Sequence, residues 1–177
     1  MGLSYAYIHR YETFGKKEEI TDLLVRVEHE FTPKLSVWTW EKGNTIREKM
    51  AHYFKPDSSM LLAIDDETNH IAGLFHLRED DAKGEMIHYS PNLKIETIIV
   101  APPYRDRGVA TSMYKEVHRM NKTYFKKPFI VSATWEANDK QHHLYKKNGY
   151  ELAFVSTYPQ DDRLKRYYYV KKHEFVR

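Results

Sequence analysis

The chain has no cysteine among its 177 residues. That excludes disulfides, thiolate metal sites and a cysteine nucleophile. No apolar run approaches the roughly 18 residues that a membrane span needs. The start, Met1-Gly-Leu-Ser-Tyr-Ala-Tyr-Ile-His-Arg10, has no long apolar stretch, so no secretory signal is expected. Gly2 invites a myristoylation reading, but Ala6 stands where Ser or Thr is required. Charge of one sign is scarce: 28 Lys and Arg face 25 Asp and Glu, a formal net charge of +3. That balance suits an anionic ligand without requiring nucleic acid. No internal repeat, low-complexity tract or linker divides the chain, so one domain over residues 1–177 is expected.

What is present is ordinary for a globular protein, with 41% hydrophobic and 30% charged residues. The aromatic share of 14%, with 14 tyrosines, is high, and tyrosine favours strands and lines pockets. Tyr5 to Arg10 reads as an opening strand. Ile20, Leu23, Leu24, Val27 and Phe31 recur at helical spacing, which predicts a helix from Lys16 to Phe31. Leu35 to Trp40 reads as extended. Thr45 with Glu48 makes a capping box, and Ile46, Met50 and Phe54 mark the buried side of the helix it starts. Pro56-Asp-Ser breaks that helix.

Met60–Ile64 and Ile71–Leu77 form a predicted hairpin across a polar turn. Glu79 to Pro91 reads as a loop, and Lys94 to Val100 as a strand. A helix from Arg105 to Met120 shows Val109, Met113, Val117 and Met120 on one face. Phe129–Ala133 is a strand and Asn138–Lys147 a helix stopped at Gly149. Strands at Tyr150–Val155 and Tyr167–Lys171 close the chain, with a polar loop at Pro159-Gln-Asp-Asp. The order β, α, α, β, β, β, α, β, α, β, β predicts a mixed α/β fold, a mixed sheet with helices on both faces.

The stretch Ile95-Glu-Thr-Ile-Ile-Val-Ala-Pro-Pro-Tyr-Arg-Asp-Arg-Gly-Val-Ala110 concentrates the chemistry. A β-branched strand runs into a Pro corner and then a glycine turn that opens a helix. The first amides of a helix have no partner inside it, and the helix dipole adds about half a positive charge there. Gly108 lets backbone approach an anion without a Cβ in the way. Arg105 and Arg107 can add side-chain charge. Together these make a cradle for a phosphate or diphosphate. A Walker A reading fails because no Gly-Lys-Ser/Thr follows, and a dinucleotide fingerprint fails for want of the further glycines.

Arg105-Asp-Arg-Gly-Val-Ala110 is a complete Arg/Gln-x-x-Gly-x-Gly/Ala motif, and here the sequence resembles the GNAT family of N-acetyltransferases. The preceding strand, the Pro103-Tyr104 corner and a second block, Asn138 with Leu144-Tyr145-Lys-Lys-Asn-Gly149-Tyr150, carry the same resemblance over roughly positions 94 to 155. Ala110 in place of a second Gly is a permitted variation, and Gln141 stands where a small residue is frequent.

The resemblance implies a GNAT-like, mostly antiparallel central sheet and acetyl-CoA as cosubstrate, with no metal. It also implies that Ile98, Ile99, Val100, Arg105, Asp106, Arg107, Gly108, Val109, Ala110, Thr111, Asn138 and Tyr145 bind the cosubstrate. Glu96 is the candidate base, because an ammonium is protonated at neutral pH and a carboxylate can accept its proton, directly or through water. Strand alternation puts Glu96, Ile98 and Val100 on one side, yet an ion-paired strand Glu would look the same. Val100 matches the backbone N–H that polarises the thioester carbonyl. Tyr145 matches the general acid for the leaving thiolate, or is a core tyrosine. Asn138 is a pantetheine contact, a helix N-cap, or both.

The expected activity is direct acetyl transfer to a primary amine in the cytoplasm, since no cysteine can carry the acetyl group. A weakly catalytic CoA-binding sensor or scaffold is the second reading. A third is a basic nucleic-acid module on Lys122–Lys127 and Lys165–Arg177, runs that are more often solvated faces. Val37, Trp38, Thr39, Trp40 and Tyr53 are candidates for the acceptor side. His142 and His143 diverge by about 100° on a helix, which argues against a metal pair. His88 reads as a surface residue. Strands exposed near the C-terminus leave a homodimer open.

Overall fold

A computed structural model describes residues 2–11, 14–39, 43–55, 58–80, 84–158 and 161–173. The strands are β1 (Leu3–Ile8), β2 (Ser59–Asp65), β3 (Ile71–Asp80), β4 (Asn92–Val100), β5 (Phe129–Trp135), β6 (Glu151–Tyr158) and β7 (Asp161–Lys172). The helices are α1 (Lys17–Val27), α2 (Ile46–Ala51), α3 (Val109–Met120) and α4 (Asp139–Lys147). One seven-stranded sheet has the order β1-β2-β3-β4-β5-β7-β6. β1/β2, β5/β7 and β6/β7 pair antiparallel and β4/β5 parallel, so the sheet is mixed and mostly antiparallel, as expected. Among the described residues no helix is long and apolar enough to cross a membrane.

The chain divides into two compact units, Met1–Leu74 with Ile99–Val109, and Phe75–Ile98 with Ala110–Arg177. In the first, α1 supplies Ile20, Leu23, Leu24 and Val27 to a core that also holds Tyr11, Leu35, Met50, Phe54, Met60, Leu62 and Ile99. Burying one such side chain contributes about 1.5–3 kcal/mol. α2 opens with the expected capping box: Thr45 Oγ1 accepts from the Glu48 amide, and the Glu48 carboxylate accepts from the Thr45 amide. Arg47 then reaches back to Glu18 and Asp22 of α1.

The second unit is built on aromatic rings. Tyr114 of α3 meets Phe75 at 5.0 Å, Tyr150 at 5.6 Å and Tyr145 at 6.3 Å between centroids. Tyr145 stacks on Tyr169 at 4.6 Å. The Val109, Met113, Val117 and Met120 face is buried as its spacing predicts, and Tyr114 joins it.

Several local expectations are corrected. Leu35–Thr39 is a 3₁₀ turn, not an extended segment. The buried Glu28 carboxylate accepts from both the backbone and the hydroxyl of Ser36, which holds the segment curled. The first helix leaves α geometry at Val27 and continues as a 3₁₀ turn over Glu28–Glu30. Ile46 is 42% exposed, because α2 is a single short turn-and-a-half whose first residue stands at the surface.

The stretch read as a loop from Glu79 includes the end of β3 and a 3₁₀ turn over Gly84–Tyr89. The third helix begins at Val109 rather than Arg105 and passes into a π-helical turn over Asn121–Phe125. Buried Asn121 stabilises that turn by bonding both the carbonyl and the amide of Lys127. β6 and β7 are longer than the sequence pattern suggests. Trp40, Pro56, Asp57, Pro159, Gln160 and the last residues of the C-terminal basic run lie outside the described residues.

Candidate active site

β4 alternates strictly. Leu93, Ile95, Thr97 and Ile99 are buried, while Lys94, Glu96, Ile98 and Val100 are partly exposed. The same side of β3 carries His76 and Arg78. Within the second unit these side chains converge on one carboxylate. Glu96 lies 3.1 Å from Lys94 Nζ, 3.1 Å from Arg78 and 3.6 Å from His76 Nδ1. Arg78 also pairs with Asp80 at 2.7 Å. Burial alone would raise the Glu96 pKa, but Lys94, His76 and Arg78 together outweigh it and hold the carboxyl below its ordinary range. Glu96 is thus ionised at neutral pH and a weak proton acceptor by itself. His76, Arg78 and Lys94 were not anticipated. The available signal was the parity of His76 and Arg78, two polar residues on the same side of a strand that is apolar up to Phe75.

β4 and β5 run parallel in register from Asn92↔Phe129 to Ile95↔Ser132, and both strands continue beyond the described pairing. Tyr145 places its hydroxyl at that point. It donates to the Ala133 carbonyl at 3.1 Å and accepts from Ser132 Oγ at 2.7 Å, and Ser132 Oγ also lies 2.8 Å from the Ile95 carbonyl. Tyr145 is almost fully buried, and burial pushes its pKa up to about 12. It is protonated throughout the physiological range. Ser132 is a further residue that the sequence did not single out, since a lone Ser in an apolar strand has no distinguishing pattern.

Asn138 caps α4, its Oδ1 accepting from the Gln141 amide at 3.2 Å. Gln141 in turn donates to the Tyr114 hydroxyl at 2.8 Å, which gives the unexpected residue in this block a partner. Ala110 and Thr111, the first residues of α3 in this unit, are partly exposed.

In the first unit the loop between β4 and α3 is pinned at several points. The Ala101 amide donates to Ala72 at 3.0 Å. Tyr104 donates to the Asp65 carboxylate at 3.0 Å and contacts Thr68 at 3.1 Å. Arg105 donates from Nε to the Val100 carbonyl at 3.1 Å and forms a two-pronged pair with Glu30 at 2.9 and 3.1 Å. Its guanidinium therefore ties the loop to the strand end. Asp106 and Gly108 both adopt positive φ, at 59° and 79°. A Cβ built at Gly108 would meet nothing within 4 Å, so the backbone faces open space. Asp106, Arg107 and Gly108 are exposed and Val109 is buried. Left-handed residues just ahead of a helix start are the kind of backbone from which anion-binding amide nests are built.

Of the acceptor candidates, Val37 is exposed and Tyr53 packs on Phe54 at 4.9 Å between centroids. Trp38 and Thr39 lie on the 3₁₀ turn. His88 is exposed.

No curated protein matches the chain. Among solved structures, a nourseothricin acetyltransferase superposes with a TM-score of 0.54 at 21% identity, covering 66% of each chain. A Bacillus anthracis (strain Ames) protein provisionally assigned as a streptothricin acetyltransferase, in complex with acetyl coenzyme A, gives 0.55 at 20% identity, over 68% of this chain and 65% of that one. This chain thus spans slightly under two thirds of the length of each of those two. An N-acetyltransferase from Staphylococcus aureus Mu50 gives 0.64 at 17% identity, over 97% of this chain and 99% of that one. At these identities the likenesses show a shared fold. The model of the acetyltransferase (GNAT) family matches residues 17–150, which takes in the loop, Glu96 and Tyr145, and the chain belongs to that family.

Proposed function

We propose that the protein transfers an acetyl group from acetyl-CoA directly to a primary amine. The observation that carries this reading is the pinned, open Arg105–Ala110 loop at the end of β4, with positive φ at Asp106 and Gly108. Its amides and the start of α3 bind the diphosphate, with Arg107 adding exposed charge. Arg105 holds the loop in place through Val100 and Glu30. The Val100 amide donates to the thioester oxygen, a type of contact worth on the order of 3 kcal/mol in acyl transfer.

The cluster around Glu96 attracts the ammonium and removes its proton. The neutral amine then attacks the carbonyl carbon, and the C–S bond breaks as the tetrahedral adduct collapses. Tyr145, protonated and bonded to Ser132, supplies a proton to the departing thiolate and recovers one from the amide nitrogen through solvent. Asn138 contacts the pantetheine arm from the cap of α4. No cysteine exists to form an acyl-enzyme, so both substrates are bound together. The cytoplasm, where acetyl-CoA is available, is the compartment this reading assigns. β6, an edge strand with exposed Leu152 and Val155, is its candidate dimer surface.

The test is acetyl-CoA turnover against a panel holding a polyamine, an α-amino acid, an aminoglycoside, a peptide N-terminus and a lysine side chain. Amine-dependent release of CoA thiol supports the reading. Tight CoA binding without release on any amine favours a sensor instead.

A further inference from the structure

We propose that His76, not the Glu96 carboxylate, is the base that takes the proton from the acceptor ammonium, with Glu96 as its positioning partner. The inference rests on the transferase reading and refines its proton-transfer step. Five ionisable side chains make up the described cluster: His76, Arg78 and Asp80 from β3, and Lys94 and Glu96 from β4. Arg78 and Lys94 bring the guanidinium and amine groups that pair with Glu96. Asp80 shares Arg78, and the Glu96 carboxyl is held below its ordinary range. Imidazole alone, with an ordinary pKa of about 6.5, is of the type that gives and takes a proton near pH 7.

The geometry assigns complementary roles. His76 Nδ1 lies 3.6 Å from Glu96 Oε2, with the His76 side chain 13% and the Glu96 side chain 24% exposed. The carboxylate is placed to stabilise the imidazolium once it forms, while Lys94 and Arg78 keep the carboxylate ionised. In the step itself, the ammonium N–H bond breaks and its proton moves to imidazole, directly or through one water. That leaves a neutral amine and an imidazolium. The amine lone pair forms the new C–N bond. The imidazolium proton passes to solvent, and the second nitrogen proton balances the thiolate that leaves as thiol.

The experiment pairs two titrations on the same protein. His76 is followed by NMR in wild type and Glu96→Gln, and kcat/KM is measured against pH with the fastest amine of the panel. In wild type the acid limb of kcat/KM should coincide with the NMR midpoint of His76. In Glu96→Gln both should move to lower pH together, by about one unit, because an anion beside the imidazolium has gone. His76→Gln should lose about 100-fold in kcat/KM at pH 7, the usual scale of general-base catalysis. Its acetyl-CoA affinity by calorimetry should stay within about twofold on that account. The deficit should shrink toward pH 10, where the amine deprotonates by itself.

An acid limb that ignores the His76 midpoint, or a His76→Gln enzyme that keeps its rate at pH 7, overturns the assignment. A wild type that binds acetyl-CoA and acetylates nothing overturns the transferase reading and this step with it. A His76→Gln protein that has lost its fold is replaced by His76→Asn, and the wild-type and Glu96→Gln comparison decides without either.

Discussion

Tyr145 sits among Ser132, the Ala133 carbonyl, Tyr114, Tyr150 and Tyr169, with its pKa pushed up to about 12. An alkaline limb below pH 10 in the rate profile therefore belongs to another group. Tyr145→Phe leaves the Ala133 carbonyl without this donor, at a cost of about 1 kcal/mol in stability. On the transferase reading it also removes the proposed proton source for the thiolate, so kcat should fall at least tenfold on the usual scale for a general acid. Urea unfolding and steady-state kinetics on the same variant separate the two effects.

His118 shows the opposite electrostatics. It faces the Tyr150 hydroxyl at 3.2 Å, and burial first, then Lys171, His173 and Lys122, drives its pKa down to about 3. Its unfolded form binds a proton below pH 6.5 while the folded form does not. Stability from this group is thus complete above about pH 6.5 and is lost as pH falls toward 3, by at most about 1 kcal/mol per pH unit allowing for solvent screening. Urea midpoints measured from pH 7 to pH 4 should fall less steeply in His118→Gln than in wild type.

At the level of elements, the loop from Ala101 to Gly108 was legible because its information is local. A β-branched run, two prolines and a glycine before an apolar-periodic helix determine a strand, a corner and a helix start. The Gly108 angle of 79° and the left-handed stop at Gly149, 78°, follow from the same logic. The Thr45–Glu48 capping box was legible for that reason too. The cluster at Glu96 was only half legible. Strand parity shows Glu96 on a polar side, but the partners Arg78 and His76 come from another strand, and their pairing depends on register. The curl at Leu35–Thr39 escaped for a similar reason, since Ser36 bonds a Glu28 that is eight residues away. Gly108→Ala tests the loop. Its Cβ meets no protein atom, so the stability cost is that of the positive φ alone, about 1–2 kcal/mol. Acetyl-CoA affinity should drop by about tenfold, a loss of the same order as one good hydrogen bond to a charged group.

At the level of the molecule, β4 runs through both units, carrying Glu96 in one and Val100 in the other. The net charge of +3 is too small to dominate binding, so acetyl-CoA affinity should weaken only modestly with salt. A nucleic-acid module would behave differently, losing affinity steeply as salt rises.

Isothermal titration of the folded wild-type protein with acetyl-CoA bears most directly on the central claim. The account predicts saturable heat at one site per chain, with a dissociation constant in the range of about 1 μM to 1 mM usual for enzyme substrates, and weaker binding in Gly108→Ala. Flat titrations with both acetyl-CoA and CoA would contradict it.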